Sequence, residues 1–174
     1  MAPTGRADEA RQQALTLLDA GPVAMTRAHR PGHITASTLV VDTDGRILLC
    51  LHGRMGRWMQ LGGHCEPGDA TVAAAALREA TEESGLAGLR LLDEPIDVDV
   101  HPVRCKPADG GPATDSVHYD IRFVAISPSG ATEQVSDESA ALGWFTSDAL
   151  PNPLADGVTQ QIGPALARLR LGRA

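Results

Sequence analysis

A mixed α/β domain is what the 174-residue sequence predicts, with strands and helices arranged around one central helix. Three observations carry that expectation. His33–Asp42 (HITASTLVVD) and Ile47–Leu51 are short β-branched and apolar runs joined by Thr43-Asp44-Gly45, which reads as a hairpin. Residues 71–84 (TVAAAALREATEES) are strong helix formers that stop at Gly85, a natural C-cap. Three further β-rich runs follow, near residues 88–92, 96–103 and 117–126. This order is α/β or α+β and lacks the regular strand–helix alternation of a doubly wound sheet.

The remaining elements are shorter. Residues 8–19 (DEARQQALTLLD) carry Ala10, Leu15, Leu17 and Leu18 among polar residues and predict an amphipathic helix stopped by Gly21-Pro22. Lys106–Asp115 is a turn-rich loop. A strand at Trp144-Phe145 precedes a polar stretch and a C-terminal helix over residues 155–170, which Pro164 is expected to kink. With 43% hydrophobic residues and no linker-like stretch, the chain predicts one core. Residues 1–30 read as a helix and lead-in, and residues 31–174 as the domain proper.

Charge and composition exclude several classes. Lys and Arg number 15 against 22 Asp and Glu, a formal charge of −7 that repels a polyphosphate backbone and argues against duplex nucleic acid as a partner. Aromatic residues are only 3%, too few for base-stacking platforms. Cys50, Cys65 and Cys105 are odd in number and form no CxxC pair, which disfavours a disulfide framework and excludes a finger-type zinc site. The polar start of the chain and the lack of a long apolar run predict no signal peptide and no membrane association. A cytoplasmic protein is the expectation.

One stretch concentrates chemistry: Leu61–Leu86, LGGHCEPGDATVAAAALREATEESGL. On a helix, Glu82 lies about 60° to one side of Glu79 and Glu83 about 40° to the other, so three carboxylates share one face within one turn. Ala73, Leu77, Ala80 and Ser84 form a separate small, apolar face suited to packing on a sheet. Like charges at i, i+3 and i+4 repel, which destabilises the helix unless a cation sits among them. Hard oxygen ligands grouped in this way suit Mg²⁺ or Mn²⁺. The alternative is a solvated face with local Arg–Glu pairs.

The flanking glycines favour the metal. The stretch resembles the Nudix box, G-x5-E-x7-R-E-U-x-E-E-x-G-U with U bulky and aliphatic. Gly63 opens it, Asp69 stands at the first acidic position, and Arg78-Glu79, Glu82-Glu83, Gly85 and Leu86 complete it. Three departures are visible: Asp69 replaces Glu one residue further from Arg78 than usual, Ala80 replaces a larger aliphatic residue, and Leu61 stands where proline is common. The strand pair at residues 33–51, and acidic Glu133 and Glu138 before Trp144-Phe145, extend the resemblance over residues 33–150. It implies an α/β/α sandwich around a mixed β-sheet.

The resemblance also implies a pyrophosphohydrolase acting on a small phosphorylated, nucleotide-derived substrate with Mg²⁺ or Mn²⁺, by water attack at phosphorus. A catalytically silent ligand-binding or regulatory module is the alternative. Gly63 (through its carbonyl), Glu79, Glu82 and Glu83 would be the metal ligands, Glu79 also a candidate base, and Arg78 an orienting partner of a box carboxylate. Glu138, six residues before Trp144, is a second candidate base. Residues 21–32, 104–117 and 128–140 would set specificity. His64, His118 and Arg122 are candidate substrate contacts: His118, Asp120 and Arg122 alternate on one strand face, a polar row that either lines a pocket or is an ordinary sheet surface. Trp58 and Trp144 are expected in packing rather than stacking on a base, and Cys65 as a small filler. The extra residue after Asp69 predicts that this side chain stands off the metal, so that Asp69→Ala leaves turnover nearly unchanged. The N-terminal helix either covers the sheet or supports a homodimer.

Overall fold

Nine consecutive buried residues, His33–Val41, form the strand β1 on which the other strands assemble. This is seen in a computed structural model that describes residues 5–107, 110–136 and 139–171. β2 (Ile47–His52) returns antiparallel to β1 through the expected turn, with Val40 opposite Leu48. The turn is closed by Asp42, whose carboxylate accepts from the backbone N–H of Asp44 and Arg46. Two short strands follow, β3 (Trp58–Met59) and β4 (Leu61–His64), which pair antiparallel with β2 and β1 respectively. β5 (Arg90–Cys105) and β6 (Thr114–Ile126) form a long antiparallel pair, and β6 lies parallel to β1 along its full length. β7 (Ser139–Phe145) pairs with β2, completing a mixed seven-stranded sheet with the path β3-β2-β1-β6-β5.

Three helices cover this sheet. α1 (Gly5–Leu18) packs Ala14 and Leu17 with Ile34, Val98, Tyr119 and Ile121. It therefore covers part of the sheet, one of the two roles expected for it. α2 (Val72–Ser84) lies on the same face, with Ala75 and Ala76 against Ala36 and Phe123. α3 (Val158–Leu171) covers the other face, packing Val158, Ile162, Ala165 and Leu169 on Leu39, Val41, Leu49 and Val124. β1 is therefore buried along both faces, which is why it reads as a continuous apolar and β-branched run. No helix among the described residues is long and apolar enough to cross a membrane.

Several expectations need adjustment. The two strands read at 88–92 and 96–103 are one strand, β5, with its register shifting between Leu92 and Asp97. Pro95 lies within that shift, between the paired residues Leu92 and Asp97, where its missing N–H costs the ladder no bond. The loop read from Lys106 is shortened by β6, which begins at Thr114 and pairs it with Cys105. On α2 the fully buried residues are Ala75, Ala76, Ala80 and Ser84, so Ala80 and Ser84 of the expected face are buried as read, while Ala75 and Ala76 take the place of Ala73 and Leu77 in the first turns.

Candidate metal and hydrolysis site

α2 places the acidic residues because both of its ends are defined. Thr71 caps the N-terminus, its hydroxyl accepting from the Ala74 N–H at 3.0 Å. Gly85 takes the left-handed conformation (φ 67°) and donates to the Thr81 carbonyl. With Ala76 and Ala80 as the packed stripe, small side chains bring the helix close to the sheet, and Thr38 of β1 donates to the Ala76 carbonyl at 3.0 Å.

That closeness sets Glu79 and Glu83 against β4. The Gly62 N–H donates to Glu83 Oε2 at 2.8 Å. A Cβ on Gly63 would stand 2.6 Å from the Glu79 carboxyl carbon, so only glycine leaves room for that carboxylate. Gly62 is constrained from the opposite side, since a Cβ there would lie 2.5 Å from Ser37 Cα. The glycine pair is thus explained by two separate close approaches.

Arg78 gathers the remaining acids. Its Nη1 donates to Glu79 Oε1 and to Glu82 Oε2, each at 3.1 Å. Its Nε and Nη2 hold Asp69 Oδ1 and Oδ2 in a two-pronged pair at 3.0 Å each, and Nη2 also reaches the His64 carbonyl at 2.9 Å. These hydrogen bonds hold the Asp69 carboxyl below the usual carboxylate range. The Glu82 side chain is 60% exposed and so open to solvent and ligand. One guanidinium therefore serves three carboxylates, while Glu83 faces the glycine strand. That acid excess and the hard oxygen donors, with Gly63 brought against Glu79 by the packing of α2 on β4, fit a magnesium-type cation.

The longer spacing after Asp69 places that residue on Arg78. Because Asp69 is held on Arg78, the nearly unchanged turnover expected from the sequence for Asp69→Ala is revised to a loss of about tenfold acting through Arg78, the lower end of what losing an outer-shell partner costs. Mg²⁺ titration of turnover checks this, and a loss as large as that from Glu82→Gln would contradict it. Glu138, the second candidate base, lies outside the described residues.

The candidate substrate contacts separate into two groups. His64 and His118 come together with His33, their rings 4.9–5.2 Å apart, at one end of the polar sheet face. Burial pushes the His64 and His118 imidazoles down to about 3, with Arg27 adding to it at His64 and the neighbouring histidines at His118. Arg122, read as a phosphate contact, is elsewhere in character. Only 2% of its side chain is exposed, and its three nitrogens are committed to Asp120 (3.0 Å), Asp97 (3.2 Å) and Asp99 (3.0 Å). The polar row on β6 is therefore divided between a histidine group and a buried ion network. Trp58 packs edge-on against Phe145 at 5.0 Å, and Trp144 donates to Glu133 at 2.9 Å, so both act as packing or anchoring residues. Cys65 packs beside Val72, and burial pushes its thiol up to about 11.

The histidine shifts fix the sign of a pH effect. Unfolded imidazoles titrate near 6.5, so between that value and about 3 the unfolded chain holds more protons than the folded one. Stability is then complete above about pH 6.5 and is lost as pH falls. Melting temperatures of the chelator-treated protein should drop from pH 7.5 to 5, and less steeply for His64→Gln/His118→Gln. A flat or rising trend in the wild type would contradict the assignment.

The profile of the NUDIX domain matches residues 31–169. The chain belongs to the Nudix hydrolase family. Among solved structures, it is 29% identical to a MutT Nudix hydrolase from Burkholderia pseudomallei, covering 75% of this chain and 95% of that one with a TM-score of 0.54. A Nudix-family hydrolase from Clostridium perfringens shares the fold at 24% identity and a TM-score of 0.61, over 79% and 97% of the two chains. An Ap4A hydrolase from C. elegans does so at 18% identity and 0.59, over the same shares. No curated protein matches significantly. Within the Nudix frame, the carboxylates on α2, the Gly62-Gly63 strand and Arg78 are the box seen in three dimensions.

Proposed function

We propose that the protein is a metal-dependent pyrophosphohydrolase that cleaves a small nucleoside-diphosphate-type substrate by attack of water at phosphorus. The observation that carries this reading is the packing of Glu79 and Glu83 against Gly62-Gly63, with Arg78 bridging Glu79 and Glu82. Among the fold neighbours are an Ap4A hydrolase and a Shewanella oneidensis NrtR Nudix domain bound to ADP ribose, which supports a nucleotide-derived ligand class.

Glu79, Glu82 and Glu83, with the Gly63 carbonyl, would hold Mg²⁺ or Mn²⁺. When bound, the cation would polarise the phosphoryl group and offset the charge that develops on its oxygens. Arg78 holds Glu79 and Glu82 in fixed orientation and ties them to β4 through the His64 carbonyl. Glu79, partly buried beside β4 and held by Arg78, serves as a ligand or takes the proton of the attacking water; Glu138 is the other carboxylate assigned to that proton. Arg122 is not assigned to phosphate, because its three nitrogens are committed to Asp97, Asp99 and Asp120.

The experiment is Mg²⁺-dependent release of phosphate products from nucleoside triphosphates, ADP-ribose, nucleotide sugars and dinucleoside polyphosphates. Turnover of one class that vanishes in Glu82→Gln supports the proposal. Ligand binding without turnover across the panel would favour the silent binding module.

A further inference from the structure

Four side chains from four adjacent strands converge at the end of the polar sheet face. His33 begins β1, His64 ends β4, Cys105 ends β5 and His118 lies on β6. The register makes this convergence a property of the sheet: His33 is opposite His118 on one side, and Thr35, next on the same face of β1, is opposite His64 on the other. One donor atom from each of the four lies within 4.8 Å of the others. The Cys105 sulfur is 3.4 Å from His64 Nε2 and 3.9 Å from His33 Nε2. His118 Nε2 is buried with no hydrogen-bond partner among the described residues. In a tetrahedral zinc site with ligand bonds of 2.0–2.3 Å, neighbouring donors are separated by about 3.3–3.6 Å. The Cys105–His64 separation is within that range already, the Cys105–His33 separation exceeds it by about 0.3 Å, and no pair of donors is more than 4.8 Å apart.

We infer that His33, His64, Cys105 and His118 form a second metal site, of the three-histidine, one-cysteine type, for a zinc-class divalent cation. Three imidazoles and a thiolate are soft to borderline donors and discriminate against Mg²⁺, the opposite preference to the carboxylates of α2. All four ligands belong to the protein, which closes a tetrahedral shell and makes the site structural. The thiolate offsets part of the positive charge, and ordinary hydrogen bonding is a poor alternative use for a buried ring nitrogen facing other rings. His64 gives the site its consequence. Its ring belongs to the cluster while its carbonyl accepts from Arg78, and Gly63 precedes it. Metal at the four-strand junction would therefore hold the end of β4, and with it the glycine strand against which Glu79 and Glu83 pack.

The full chain, stripped with chelator and titrated with Co²⁺ alone, tests this without any substrate. One equivalent should produce the intense visible bands of tetrahedral cobalt and a sulfur-to-metal charge-transfer band, and Zn²⁺ should displace both. Cys105→Ser should lose the charge-transfer band, and His118→Gln should weaken binding at least tenfold. Cys50→Ala, Cys65→Ser and Glu82→Gln should leave the spectrum unchanged. Should a cluster variant fail to fold, X-ray absorption at the zinc edge of the wild-type protein decides: one sulfur and three nitrogen neighbours are expected. Weak octahedral cobalt bands in the wild type, a charge-transfer band that survives Cys105→Ser, or an all-oxygen zinc shell would each overturn the site.

Discussion

Gly63→Ala should lower Mg²⁺-dependent turnover by about a hundredfold while leaving the fold in place. The added methyl would lie 2.6 Å from both the carboxyl carbon and Oε1 of Glu79, well inside contact distance. Those atoms are the far end of a flexible side chain, so the carboxylate gives way rather than the backbone. A displacement of about 1 Å at a reacting group is enough for that loss. Gly62→Ala provides the contrast, because its methyl would meet the Ser37 backbone at 2.5 Å, with no flexible atom to yield. Thermal melts alongside kinetics separate the two: Gly63→Ala is expected to melt close to the wild type, and Gly62→Ala well below it. A Gly63→Ala protein with wild-type turnover would show that Glu79 has no place in the site.

Arg122→Met should destabilise the protein by about 3–5 kcal/mol, the usual consequence of removing one partner from a buried ion pair. The guanidinium is enclosed between β5, β6 and the turn before α3, where Gly157 (φ 85°) leaves space that a Cβ would fill 2.8 Å from Nη1. Its removal leaves Asp97, Asp99 and Asp120 close together. Arg6 still reaches Asp97 and Asp99 at 2.8 and 2.9 Å, and Ser37 donates to Asp120 at 2.8 Å, which keeps the cost within that range. In the wild type the His101 hydrogen bond, with Arg122 contributing, holds the Asp99 carboxyl below its ordinary range. Without Arg122 the Asp99 carboxylate loses one of the charges that hold it down and protonates more readily, so the deficit should shrink as pH is lowered from 7 to 5. Denaturant unfolding at the two pH values measures both effects. A deficit under 1 kcal/mol at neutral pH would mean that the network is solvated.

The sheet and the helices were legible where local chemistry and tertiary demand agree. The hairpin around Asp44 and the capped α2 are such cases, since turn, propensity and periodicity coincide there. β3 and β4 were not legible. Glycine is a poor strand former by propensity, and Gly62-Gly63 are present because a strand and a helix approach them closely. β5 was read as two runs, and only its pairing with β6 on both sides of the register shift between Leu92 and Asp97 makes it one strand.

The carboxylates of α2 were legible for a different reason: helical spacing brings them together within five residues. Arg122 was misjudged because its partners Asp97 and Asp99 lie on another strand, in a register absent from any local window. The same holds for the histidine–cysteine group. Its members are dispersed over residues 33–118, and excluding a finger-type spacing says nothing about ligands assembled by strand pairing.

The central claim is that carboxylates on α2 support metal-dependent attack of water at phosphorus. The most direct measurement is turnover of the best panel substrate in ¹⁸O-labelled water with Mg²⁺, followed by mass spectrometry of the products. The account predicts one labelled oxygen on a phosphoryl product, formed only with divalent metal and abolished in Glu82→Gln. Label on a carbon-bound oxygen, or equal turnover in Glu82→Gln, would contradict it.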